Sequence, residues 1–251
     1  MERQLIKMEA KDRLIFPLDF SSLNEAKHYV GLLKDYVGLF KVGLQLFVAE
    51  GPRVIQTIAE DANTKIFLDL KFHDIPVTIK SAQKSLSEGY IRFITVHCDQ
   101  GLRLLEAIAG ASDRIKILAV TVLTNLNTKD LIDIGIDPNL AKDPSQLVLK
   151  RAEVAYRAGC DGVVCSGLEA KEVKSRFGRD FVVVTPGIRP QWGLIADDDQ
   201  KRVVTPYEAI INGADYIIVG RPIRDAPDPK AAAQKVVKEI KQALNDLKLH
   251  Y

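Results

Sequence analysis

Between residues 69 and 74 the chain reads Asp-Leu-Lys-Phe-His-Asp, which places four ionisable side chains within six positions. Asp69 and Lys71 are two apart, so on a strand they project to one side while Leu68 and Leu70 project to the other. An unpaired buried ion costs several kcal/mol, so an acid and a base on the inner side of a strand are a poor choice for packing alone. Lys41, near the end of LFKVG, adds a second ammonium, and Asp74 adds a second carboxylate that reaches the rim or a neighbouring chain. Two lysines thus interleave with two aspartates, and a fixed ammonium in a water-poor pocket can stabilise developing negative charge and deliver a proton. Flanking carboxylates favour the charged ammonium, whereas a Schiff-base lysine must be a free amine, so an aldolase-type role for Lys71 is disfavoured. The structural alternative is an internal ion pair that fills the core.

These groups need a scaffold that carries strand ends to one place. Short apolar or β-branched runs recur along the chain at Leu14–Asp19, Leu39–Gly43, Lys65–Lys71, Phe93–Cys98, Lys116–Leu123, Gly162–Ser166, Phe181–Gly187 and Tyr216–Arg221. Stretches of helical period lie between them: Leu23–Tyr36, Leu44–Glu60, Ile75–Glu88, Leu102–Ala109, Ser145–Ala158, Leu168–Arg176 and Tyr207–Asn212, with Pro229–Leu249 closing the chain. Ser22 and Asp228 stand as N-caps, and AGCDG and NGAD mark re-entry to strands. Eight strand-then-helix units predict an α/β fold, a closed (β/α)8 TIM barrel. With no Pro/Gly/Ser-rich linker, residues 1–251 read as a single barrel domain. The Asn- and Asp-rich stretch Thr124–Pro144 carries no assignable element.

In such a barrel the chemistry gathers at the C-terminal ends of the strands. The loops TPGIRP (Thr185–Pro190) and VGRPI (Val219–Ile223) follow the last two strands, where backbone N–H groups often hold a phosphate. Gly187 and Gly220 allow close approach of backbone to an anion, and Arg221 offers a bidentate donor. The polar segment Arg189–Arg202 between them, with one Trp, is long enough to form a lid.

Composition narrows the partners. Thirty-five Lys and Arg against 33 Asp and Glu leave a net +2, without the basic stripe of a nucleic-acid binder. No run approaches the ~20 apolar residues of a membrane span, and the charged start MERQLIKMEAKDR lacks the apolar core of a secretory signal, so a cytoplasmic protein is expected. Cys98, Cys160 and Cys165 form no CxxC pair, and the four histidines lack paired-ligand spacing. No metal site is expected from them.

The block DLKFHDIPVT, in order with LDF, KVGLQLF, VHCDQG, VLTN, TPGIRP, DDDQKRVVTP and IIVGRPI, resembles the orotidine 5'-phosphate decarboxylase family over nearly the whole chain. The resemblance implies a cofactor-free decarboxylase in which Lys71 donates the proton and Lys41, Asp69 and Asp74 complete a Lys-Asp-Lys-Asp array. It further implies a homodimer in which Asp74 and Thr78 reach the neighbouring site. Asp19 and Lys41 would bind ribose hydroxyls, Thr124 would lie at the pyrimidine, and Gln200, Gly220 and Arg221 would hold the phosphate with Arg189 nearby. One departure is Asn125, where the family's bacterial pattern has Ser after Leu-Thr. Related barrels that act on sugar phosphates with magnesium share the Asp-x-Lys-x-x-Asp segment. They carry a Glu ligand where this chain has Lys41, and an ammonium there repels a divalent ion. A catalytically inactive phosphate-ligand barrel is the remaining alternative.

Overall fold

Strands form where β-branched and aromatic residues cluster, and eight of them close into a parallel barrel in sequence order: β1 Leu14–Pro17, β2 Leu39–Gly43, β3 Ile66–Phe72, β4 Ile91–His97, β5 Lys116–Val120, β6 Gly162–Val164, β7 Val182–Thr185 and β8 Tyr216–Ile218. The computed structural model describes residues 8–86, 89–111, 114–193 and 202–249. β8 pairs back onto β1, with Leu14 opposite Ile217, so no sheet edge is left.

The period of two along each strand sorts side chains into two cores. Leu14, Phe16, Phe40, Leu68, Ile94 and Ile117 face the surrounding helices, whose apolar stripes cover them. Ile15, Leu39, Phe67, Phe93, Leu118, Val164, Val182 and Tyr216 point into the barrel and fill it. Two residues further along β2, β3 and β4, the same inward rows place Lys41, Asp69 and Thr95 directly above this apolar layer. The barrel is thus packed below and polar above.

Several expected boundaries move. Strands β1, β5, β6, β7 and β8 end at Pro17, Val120, Val164, Thr185 and Ile218, short of the residues expected from the sequence. Except after β7, where Pro186 has no N–H, the next residue still makes a single bond, Leu18 N to Lys41 O and Val219 N to Ile15 O among them, before the chain turns into the mouth loops. The helix expected over Leu44–Glu60 is two helices, Leu44–Glu50 and Arg53–Ala62. Gly51 takes φ 72° and Pro52 follows, a stop that side chains with a Cβ make poorly.

The unassigned stretch Thr124–Pro144 contains helices Thr128–Asp133 and Pro138–Lys142, and Pro144 opens the helix Pro144–Arg157. Asn127, Asp137 and Asp143 cap these three starts, and prolines sit in the first turn of the last two. The expected Ser22 and Asp228 caps also form, accepting from Glu25 N at 3.3 Å and Ala231 N at 3.0 Å.

The Asp residues of AGCDG and NGAD serve the opposite end of the barrel. Asp161 Oδ2 accepts from Ile117 N at 2.9 Å, and Asp215 Oδ2 accepts from Val183 N at 2.8 Å. Each carboxylate satisfies a strand-start N–H on a neighbouring strand.

Candidate active site

A cavity of about 270 Å³ opens at the C-terminal ends of the strands. Asp19, Lys41, Asp69 and Lys71 line one side of it, and Val120, Val122, Leu123 and Val164 line another, with Thr124, Asn125 and Pro186 also on its wall. The charged side comes from β1 to β3 and the apolar side largely from β5 and β6, so a ligand here meets ions on one flank and hydrocarbon on the other.

The ions form one connected array. Lys71 Nζ lies 3.0 Å from both carboxylate oxygens of Asp69. Lys41 Nζ lies 3.5 Å from Asp69 Oδ2 and 3.1 Å from Asp19 Oδ1. Lys41 and Asp69 are each 8% exposed, while Lys71 is half-buried and Asp19 exposed, so the array is buried at its centre and open at its ends. Burial acts to lower the Lys41 pKa, but Asp69 and then Asp19 outweigh it and hold the ammonium above its ordinary value. For Asp69 burial acts to raise the pKa, and Lys41, Lys71 and the hydrogen bonds from Lys71 and Thr95 overcome it, holding the carboxyl below its ordinary range. At neutral pH Asp69 is a carboxylate facing two lysine side chains.

Two features that hold this array are invisible to a search for charged residues. A Cβ on Gly43 would stand 2.9 Å from Lys41 Nζ and 3.1 Å from Asp19 Oδ1, so the glycine leaves room for the ion pair. The second feature is a distortion of β3. Leu68 pairs with Ile94 and Phe72 with Val96, which leaves residues 69–71 opposite Thr95 alone. Lys71 accordingly sits at φ 51°, one of two non-glycine residues with positive φ among those described. A conformation of this kind costs on the order of 1–3 kcal/mol. The regular pleat expected for Asp69 and Lys71 is therefore corrected to a bulge, through which Lys71 still reaches Asp69. Gln100 also pins the bulged strand end, donating from Nε2 to Phe72 O at 2.8 Å.

The remaining expected site residues lie apart from the array. Asp74 and Thr78 are exposed at the rim, at and after the start of the helix Pro76–Lys84, and line no part of the cavity. Asp74 Oδ1 accepts from Ile75 N at 2.6 Å. Arg189 is buried, donates from Nη1 to Ile188 O, and its backbone N bonds Val204 O beside the Ile188–Val204 bridge. Gly220 precedes the short helix Arg221–Arg224, and a Cβ there would lie 3.0 Å from Pro17 Cγ. Arg221 faces a separate cavity of about 570 Å³ with Trp192, Asp228 and Lys235. Gln200, the three aspartates before it and most of the segment 189–202 read from the sequence as a lid lie outside the described residues.

The three cysteines are buried. Burial raises the Cys98 thiol well above its ordinary value and pushes Cys160 and Cys165 up to about 12, which makes them poor nucleophiles at neutral pH.

A closed eight-stranded parallel barrel with its ionic array at the C-terminal mouth places the chain in the broad class of (β/α)8 enzymes. More narrowly, the model of the Orotidine 5'-phosphate decarboxylase / HUMPS family matches residues 12–236, and the chain belongs to that family. Among curated relatives, the orotidine 5'-phosphate decarboxylase of Desulfosudis oleivorans is 49% identical over 236 residues, covering 93% of this chain and 95% of that one. That of Methylococcus capsulatus is 46% identical over 230 residues, covering 92% of each. The crystal structure of orotidine 5'-phosphate decarboxylase from Lactobacillus acidophilus superposes with a TM-score of 0.76 at 35% identity, covering 90% of this chain and 98% of that one. The Pyrococcus horikoshii enzyme, at 24% identity and a TM-score of 0.71, shares the fold, with 91% of this chain and 99% of that one covered.

Proposed function

We propose that this chain decarboxylates orotidine 5'-phosphate to uridine 5'-monophosphate and CO2, the closing step of uridine monophosphate synthesis, as one barrel domain. The observation that carries the reading is the Lys41–Asp69–Lys71 array, centred on a buried carboxylate at the mouth of a barrel of this family.

The reaction explains the array. Heterolysis of the ring–carboxylate bond leaves an electron pair in the plane of the pyrimidine, where the ring π system cannot delocalise it. The protein must then stabilise that charge directly. The Lys71 ammonium, facing the cavity from its bulge, neutralises the developing charge, and its N–H proton forms the new C–H bond as CO2 departs. Solvent returns the proton to Lys71 afterwards. Asp69 keeps both lysines in place, and Lys41 with Asp19 binds the ribose hydroxyls. Thr124 lies at the pyrimidine, beside the apolar wall. Asn125, at the usual serine position, also lines the cavity and has an amide able to donate and accept at the base edge.

The phosphate lies toward the loops after β7 and β8, held by Gln200, Gly220 and Arg221 with Arg189 nearby. Binding energy from this remote group orients the ring and is spent on the chemical step. Asp74 and Thr78 act in the site of a second copy of the chain. Their exposure supports this, as do the apolar chain neighbours Ile75 at 64% and Val77 at 72% exposure. The phosphorylated, carboxylated substrate is polar and is met in the cytoplasm. No described helix is long and apolar enough to cross a membrane.

The test is the ultraviolet absorbance change of orotidine 5'-phosphate with protein dialysed against a chelator. Loss of substrate with uridine monophosphate formed is expected. Absence of turnover by folded protein, restored for a sugar phosphate by added magnesium, would overturn the proposal. Mixing Lys71→Ala with Asp74→Ala protein tests the shared site: activity reappears in the mixture only when one chain completes the other's site.

A further inference from the structure

Thr95 is fully buried on β4, two residues beyond Phe93 in the row that points into the barrel. Its hydroxyl accepts from Lys71 N at 2.9 Å and donates to Asp69 Oδ1 at 2.9 Å. The strand register explains why a side chain is needed there. Residues 69–71 span the interval that Thr95 alone occupies on β4, so the backbone ladder cannot serve them all. The hydroxyl supplies the bond that the bulged Lys71 N–H lacks in the ladder. It also fixes one oxygen of the carboxylate that both lysines share.

We propose that Thr95 is a positioning residue of this site: one hydroxyl locks the left-handed backbone of Lys71 and the carboxylate of Asp69 together, and so aims the ammonium at the reacting carbon. The inference rests on the reading of Lys71 as proton donor. Valine has nearly the shape of threonine, so what the hydroxyl adds at this buried position is its two hydrogen bonds and not volume. Deleting it frees Lys71 to leave φ 51° and lets Asp69 rotate, and both motions carry Nζ away from its aim. Misplacement of a reacting group by about 1 Å costs on the order of 100-fold in rate.

Thr95→Ser and Thr95→Ala differ by one oxygen, and both lose the methyl group, so their ratio isolates the hydroxyl. With orotidine 5'-phosphate, kcat of the Ser variant is expected within about threefold of the unsubstituted chain, and that of the Ala variant lower by about 10-fold to 100-fold. KM is expected to change by less than about threefold in both, because Lys41 keeps its bond to Asp19 and, among the described residues, the groups that bind phosphate make no contact with Thr95. Equal kcat for the Ser and Ala variants would overturn the proposal, as would a loss confined to KM. Thr95→Val, which keeps the packing volume, repeats the comparison where the Ala variant is too unstable to assay. Lys71→Ala run alongside separates the two layers of the argument: retained turnover there overturns the proton-donor assignment itself, whatever the Thr95 variants do.

Discussion

Two Lys–Asp contacts, each on a buried carboxylate, sit at opposite ends of the same barrel and have opposite characters. At the mouth, Lys71 Nζ is 3.0 Å from both oxygens of Asp69 and faces the cavity. At the other end, Lys174 Nζ lies 2.5 Å from Asp215 Oδ2 and also donates to Arg179 O and Phe181 O, so all three of its N–H bonds are committed. Asp215 Oδ2 in turn accepts from Val183 N at the start of β7. The lower pair is a closed joint between the helix Ala170–Phe177 and two strand starts, with nothing left over for a ligand. The upper array is held by its own members, by Thr95 and by the space Gly43 leaves, with its ammonium presented to a cavity. The electrostatics differ in sign too. Burial wins at Asp215 and raises its pKa despite Lys174, whereas at Asp69 two lysines and two hydrogen-bond donors defeat burial and lower it. A buried ion pair is therefore no guide to function until its unspent donors are counted.

The comparison is broken most severely by truncating the upper lysine. Lys71→Ala is expected to lower kcat for orotidine 5'-phosphate by at least about 10³-fold, since charge stabilisation and proton delivery go together. The variant still binds uridine monophosphate, which calorimetry would show. Turnover near the unsubstituted rate would mean that the upper array is as structural as the lower one.

Lys174→Met inverts the experiment. Removing one partner of a satisfied buried pair costs on the order of 3 kcal/mol of folding stability. The carbonyls of Arg179 and Phe181 also lose their donor. The reaction has no use for Lys174, so kcat and KM measured below the unfolding transition stay within about twofold. Denaturant titration beside steady-state kinetics checks both halves, and a kcat loss without a stability loss would erase the distinction drawn here.

Much of this contrast could be read from residue order. Asp69 and Lys71 stood out because ions at an inward strand end have no packing rationale, and the barrel followed from eight strand-then-helix units. The aspartates of AGCDG and NGAD were visible as punctuation, but their work depends on strands 44 and 32 residues away in the chain. Thr95 was hidden for a related reason. Its type suits any strand interior, and its hydroxyl gains meaning only from a register shift on β3 that no local pattern announces. Gly43 looked like a strand terminus, and only the approach of Asp19 shows that the missing Cβ matters. Thr78 was legible through family likeness alone, whereas Asp74 and Arg221 also stood out as charges at strand ends, and in the single chain all three stand outside the cavity that holds the array.

The smallest expected effect, and the most discriminating, is a difference in pH slope between the two aspartates. Asp69 has a folded pKa below its ordinary 3.8, so its charged form stabilises the fold above that value, and the contribution fades as pH falls through the folded pKa. Asp215 has a folded pKa above 3.8, so its contribution is complete below that value and is lost as pH rises through the folded pKa. The stability deficit of Asp69→Asn should consequently grow between pH 3 and pH 6, while that of Asp215→Asn should shrink over the same interval. Urea unfolding of both variants and the unsubstituted chain at several pH values measures this directly. Deficits that move in the same direction would show that the two carboxylates share one environment, and the claim that the barrel keeps one ion pair for folding and another for chemistry would lose its electrostatic basis.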